Sequence, residues 1–214
     1  YLIWRLAHCA TTGGLGWWAR VWVGGLALLV LSASVYPVLG TRARLADRFY
    51  DRVLPMTLDG TAYVEGTVYR DQEGDIDLGA DFQGIRWLQQ NVQGSPIVLE
   101  GSTPTYRWGG RVSVYTGLPS VIGWKWHQEQ QRWDYRQAVA NRIRDVNNIY
   151  KTTSVLKAVE LMDKYDVEYV YVGELEKLYY PTLGIRKFEV KMAEYLEKVY
   201  SNEKVAIYQI RSGT

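Results

Sequence analysis

The chain has 214 residues, a formal net charge of +2 and an apolar fraction of 47%, which suits one well-packed domain with a short appendage. The charge balance gives a nucleic-acid partner no support. A lone Cys9 and two distant histidines, His8 and His127, exclude an internal disulfide framework, a cysteine metal site and a histidine-rich zinc site.

The chain begins at Tyr1 rather than Met, as a piece of a longer or processed protein would. Residues 1–18 read as the end of a preceding membrane region and its loop. Residues 19–40 read as a transmembrane helix. Within it, Val21 to Leu39 carry no charge and are bracketed by Arg20 and by Arg42 and Arg44. At about 1.5 Å per residue the run crosses about 30 Å of hydrocarbon. Trp17, Trp18 and Trp22 at one end and Tyr36 near the other are placed as an aromatic belt requires. Pro37 stands where the helix is expected to end. The arginines after the span outnumber those before it, and a positive-inside count puts the following domain in the cytoplasm, although large domains translocate despite such flanks.

Residues 41–80 read as a juxtamembrane connector, opening with a basic amphipathic helix over Arg42 to Arg52, with a turn at Asp59-Gly60 and a loop over Asp75 to Gly79. Residues 81–214 read as a soluble α/β domain. Asp81 is expected to cap a helix bearing Phe82, Ile85, Trp87, Leu88 and Val92. Strands are expected at 95–101, 111–117 and 120–124, the last following the turn Gly117-Leu118-Pro119. A long helix is expected over Gln128 to Tyr150, from the spacing of Trp133, Val139, Ile143, Val146 and Tyr150. A second is expected at 154–165, a strong strand at 167–173, a helix over Glu189 to Leu196, and a hairpin around Ser201-Asn202-Glu203. The fold class is therefore α/β: an N-terminal transmembrane helix, then a domain with a mainly parallel sheet, flanking helices and a C-terminal β-hairpin. Neither a Gly-x-Gly-x-x-Gly turn nor a phosphate-binding P-loop follows a strand.

In such sheets ligands gather at the carboxyl ends of the strands. There the sequence places Glu100, then Tyr106, Arg107, Trp108 and Arg111, then Trp124, Trp126 and His127. Indole faces stack on the C–H faces of sugars, and Arg, Glu and His read hydroxyl or anionic groups, so these residues form a candidate carbohydrate-binding surface. Plainer readings stand beside it. Glu100 with Arg107 or Arg111 is also a structural ion pair, Trp108 and Trp124 also roof a sheet, and His127 also opens a helix. Gln128, Gln131 and Arg132 read as the solvated face of that helix. Glu174 and Glu176 read as a carboxylate pair or as the acidic first turn of a helix.

The stretches "YPVLGTRARLADRF", "TLDGTAYV", "YRWGGRVSVYTGLPSVIGWKWHQEQQR", "DVNNIYKT" and "KYDVEYVYVGELEKLYYP" resemble the C-terminal part of the YYY family of multi-spanning membrane proteins over residues 36–210. That family is similar in architecture to the GT-C-type glycosyltransferases, which use lipid-linked sugars. The resemblance implies an integral plasma-membrane protein whose C-terminal domain faces outward, against the arginine count. It implies a lipid-linked sugar, a glycan acceptor, membrane lipid and the parent protein's other membrane helices as partners. It also implies that the catalytic acids, and any divalent metal, belong to an earlier external loop outside this chain. No cofactor is expected within the chain. The alternative is a non-catalytic structural or interaction domain.

Overall fold

The computed structural model describes residues 4–5, 8–9, 16–48 and 56–211. The chain divides into two compact units, Tyr1–Leu54 and Pro55–Thr214.

In the first unit, helix α1 (Trp17–Val35) continues through a π-helical turn (Tyr36–Gly40) into α2 (Thr41–Arg48). Pro37 was expected to end the helix. Instead the backbone widens by one residue around the ring, which lacks an N–H, and helical bonding resumes at Thr41. No side chain of α1 is buried, and Ser32 and Ser34 donate back to the carbonyls of Leu28 and Val30 at 2.8 and 2.7 Å, so their hydroxyls need no water. The run Trp17–Ala46 is long and apolar enough to cross a membrane. The basic helix expected over residues 42–52 is present to Arg48; residues 49–52 lie outside the described residues.

The second unit opens with a small hairpin, β1 (Val68–Arg70) and β2 (Asp75–Asp77), leading directly into α3 (Leu78–Asn91). Asp77, not Asp81, caps α3 by accepting from the Gly79 amide at 2.9 Å. The remaining elements are β3 (Ile97–Leu99), α4 (Arg111–Thr116), α5 (Lys125–Gln131), α6 (Arg136–Lys151), α7 (Val155–Asp163), β4 (Val167–Val172), α8 (Glu174–Tyr179), α9 (Thr182–Val190), β5 (Leu196–Ser201) and β6 (Ala206–Ile210).

The main sheet has the order β3-β4-β6-β5. β3 runs parallel to β4, while β4–β6 and β6–β5 are antiparallel. The α/β class and the C-terminal hairpin are as expected; the parallel portion is smaller, because two of the expected strands are absent. Residues 111–116 form a helix. Residues 120–124 contribute a single bridge, Val98 to Ser120; Pro119 can accept from Val98 but has no N–H with which to extend a ladder. β5 closes one edge of the sheet, and its pairing slips between Lys198 and Tyr200.

Alternating side chains of β4 serve two cores. Val170 and Val172 face α6, α7 and α9 through Val146, Ile149, Met162 and Phe188. Tyr169 and Tyr171 face α3 through Phe82, Ile85 and Leu88, and Val64 and Ile76 from the opening segment join this second core. A sheet buried on both faces explains why β4 reads as a near-continuous apolar run.

Two helices depart from expectation. The helix expected over 128–150 breaks at Arg132, passes through a 3₁₀ turn at Trp133–Tyr135 and restarts as α6. Trp133 is 74% exposed, so the core-facing stripe begins only at Val139, and nothing packed holds residues 132–135 helical. The helix expected over 189–196 lies earlier, as α9, and Leu196 already begins β5.

Candidate functional site

The carboxyl ends of β3 and β4 converge, as the fold rule requires, but on a sealed polar cluster. Arg111, at the start of α4, is 2% exposed. Its guanidinium donates to Asp81, to Glu176 Oε2 at 2.8 Å and Oε1 at 3.1 Å, and lies 3.6 Å from Glu100 Oε2. Its remaining face stacks on the Tyr171 ring, 4.9 Å from the centroid. Asp81 also accepts from Trp108 Nε1 at 2.6 Å and from the Tyr171 hydroxyl at 3.0 Å. Glu100 accepts from the Val112 and Ser113 amides at 3.1 and 3.4 Å, supplying the first turn of α4 with the acceptor its own sequence lacks. Glu176 accepts from Gly173 and Gly101, both at 2.8 Å. A Cβ on Gly173 would stand 2.6 Å from Asp81 Oδ1 and 3.0 Å from Arg111 Nη2, so the cluster closes only because that residue is glycine.

Three carboxylates around one guanidinium do not share it equally. Burial pushes the Glu100 carboxyl up to about 7, and the pull of Arg111 and the two amides only partly offsets it. Burial acts the same way on Glu176, but there Arg111 and the Gly173 and Gly101 amides overcome it and hold that carboxyl below its ordinary value.

A second assembly lies open. Trp124, the last residue before α5, donates from Nε1 to the Gly109 carbonyl at 2.6 Å. His127, in the first turn of α5, stacks on it with ring centroids 5.7 Å apart. Tyr106 meets both rings edge-on, at 5.3 Å from each, and is 58% exposed. Tyr106 holds a left-handed backbone (φ 64°), uncommon for a residue other than glycine. Trp124 and His127 form one wall of a groove of about 860 Å³ that also takes in Ser113, Gln128, Gln131, Arg132, Tyr135 and Arg142.

The candidate residues thus divide. Trp124 and His127 line the groove, and Tyr106 packs edge-on against both rings. Trp126, on α5, is 53% exposed. Glu100 and Arg111 are buried and joined as an ion pair, so neither presents a face to a ligand. Trp108 is half-buried, with its N–H committed to Asp81. Arg107 lies 4.0 Å from Asp71, whose side chain is buried and also accepts from the Tyr179 hydroxyl at 2.6 Å. Glu174 and Glu176 do not act as a pair: Glu174 accepts from the Asp77 amide and meets Lys204 at 3.0 Å, whereas Glu176 points into the cluster. Among the described residues no group of three or more His, Cys, Asp or Glu is arranged to hold a metal ion.

Sequence reasoning missed Asp81 as a cluster member, although its spacing to Ile85 and Leu88 puts it on the apolar face of α3, where an acid needs a buried partner. It also missed Gln128, Gln131 and Arg132 as groove residues. As part of a continuous helix they face solvent; the break at Arg132 gives the stretch a concave side, and no glycine or proline marks that break.

No family model matches the chain, and no curated protein matches it. Among solved structures, it is similar to the C-terminal globular domain of an oligosaccharyltransferase from Archaeoglobus fulgidus, at 11% identity and a TM-score of 0.41, over 67% of this chain and 99% of that one.

Proposed function

We propose that the chain is the last membrane span and the extracytoplasmic globular domain of a polytopic GT-C-type glycosyltransferase, and that the domain positions a glycan, acceptor or lipid-linked donor, in the groove beside Trp124. The observation that carries this reading is the Tyr106–Trp124–His127 corner: three rings in mutual contact, two of which line an open groove furnished with amides, hydroxyls and guanidinium groups. An indole fixed through its N–H holds an aromatic ring in one orientation at the groove, and planar amides such as Gln128 and Gln131 match vicinal hydroxyls. A span in the same chain suits a domain that handles lipid-linked substrates. The resemblance over residues 36–210 points the same way. In this reading catalysis, and any metal it uses, belongs to an earlier external loop of the parent protein.

The test is glycan and lipid-linked-sugar binding by the full chain in detergent. Trp124→Ala is expected to weaken binding about tenfold, the loss of one aromatic platform, with Tyr106→Ala weakening it less. Unchanged affinity in both variants, with folding intact, overturns the assignment. The rival reading, an interaction domain without a sugar site, draws on the exposure of Val114 (66%) and Trp133 (74%). It requires that no glycan binds and that a protein partner shields tryptophan emission from acrylamide.

A further inference from the structure

Among the described residues lining the groove, none is aspartate or glutamate, while Arg132, Arg142 and His127 all are lining residues. In a chain whose acids and bases nearly balance, such a lining is electrically one-sided. The two arginines are also held differently from those at the strand ends. Arg107 and Arg111 are each engaged by a carboxylate. Among the described residues no carboxylate lies within ion-pair distance of Arg132 or Arg142. Both are aimed by neutral acceptors instead. Arg132 donates from Nη1 to the Gln128 side-chain oxygen. Arg142 donates from Nη1 to the Val121 carbonyl at 3.0 Å, and its guanidinium lies 4.9 Å from the Tyr165 ring centroid. Each hydrogen bond uses one of five N–H donors and leaves the guanidinium without a carboxylate partner. Guanidinium groups without carboxylate partners in a concave site are matched by a phosphate or carboxylate, which accepts from the fork in a bidentate manner.

Building on the glycan reading above, we propose that the groove takes an anionic glycan, one carrying a phosphate or carboxylate group, with Arg132 and Arg142 on the anionic group and the Trp124 corner on the sugar face. The arginines at the strand ends, which sequence alone favours for that role, are replaced in it by two from the α5–α6 region.

The full chain in non-ionic detergent is titrated calorimetrically with glucose 1-phosphate, glucose and dioctanoyl phosphatidic acid. Glucose 1-phosphate is expected to bind about 10- to 100-fold more tightly than glucose, the yield of a charge-assisted contact. Arg132→Gln and Arg142→Gln are each expected to remove about tenfold of that preference, while Trp124→Ala weakens both sugars. Equal affinity for the charged and neutral sugars overturns the anionic assignment and leaves the glycan reading standing. Binding of phosphatidic acid, dependent on both arginines, with neither sugar bound overturns both. Arg142 is packed against Tyr165, so circular dichroism accompanies each variant; Arg132 is exposed, and its variant decides the matter if Arg142→Gln does not fold.

Discussion

Glu100 and Lys187 are buried ionisable groups driven toward neutrality from opposite sides. Glu100 moves from the ordinary 4.5 up to about 7; Lys187, 1% exposed with its ammonium on the Ile149 and Gly184 carbonyls at 2.5 and 2.8 Å, moves from 10.5 down to about 7. For Glu100 the folded chain retains, between pH 4.5 and about 7, a proton the unfolded chain has released. Its contribution is therefore complete below 4.5 and is lost as pH rises through 7, by about 3 kcal/mol in all. For Lys187 the unfolded chain holds the extra proton between about 7 and 10.5, so stability is gained as pH rises across that interval. Urea denaturation across pH is expected to show the downward slope disappear in Glu100→Gln and the upward slope disappear in Lys187→Met, each variant leaving the other interval unchanged.

At the level of elements, what is local was legible and what is borrowed was not. β4 and α7 follow from β-branched and aromatic density and from helical spacing, with Ser154 capping α7 through the Lys157 amide as its position suggests. The hairpin of β5 and β6 likewise follows from two apolar runs around Ser201-Asn202-Glu203, where Asn202 accepts from the Lys204 and Val205 amides. α4 is the contrary case. Val112 and Val114 alternate as in a strand, yet Val112 is buried and Val114 exposed on one helical turn, because the Glu100 carboxylate holds the amides of its first turn. Gly110 and Gly117, at φ 82° and 77°, bend the backbone on either side. The aromatic half of the groove was visible as a motif, its arginine half only after the helix was seen to break. A Cβ on Gly117 would meet no atom within 4 Å, so only its backbone angle resists substitution. Gly117→Ala is expected to cost about 1–2 kcal/mol, and Gly117→Asn less, in chemical denaturation.

Across the whole molecule, an apolar helix without a single buried side chain precedes a unit with two filled cores. The first is long and apolar enough to cross a membrane. Alkaline carbonate is expected to leave the full chain with the membrane pellet. Replacing Leu28 and Leu31 by Arg, at about 2.5–3.5 kcal/mol each near the centre of a span, is expected to move it to the supernatant. The slipped register of β5 matters in this setting. If the apolar helix crosses a membrane as proposed, the chain meets its own copies in two dimensions, where encounters are frequent and orientations restricted, and a straight open strand there is an invitation to polymerise. β5 instead kinks between Lys198 and Tyr200 and carries Glu197 and Lys198 outward. Such an edge discourages strand pairing from one copy to the next.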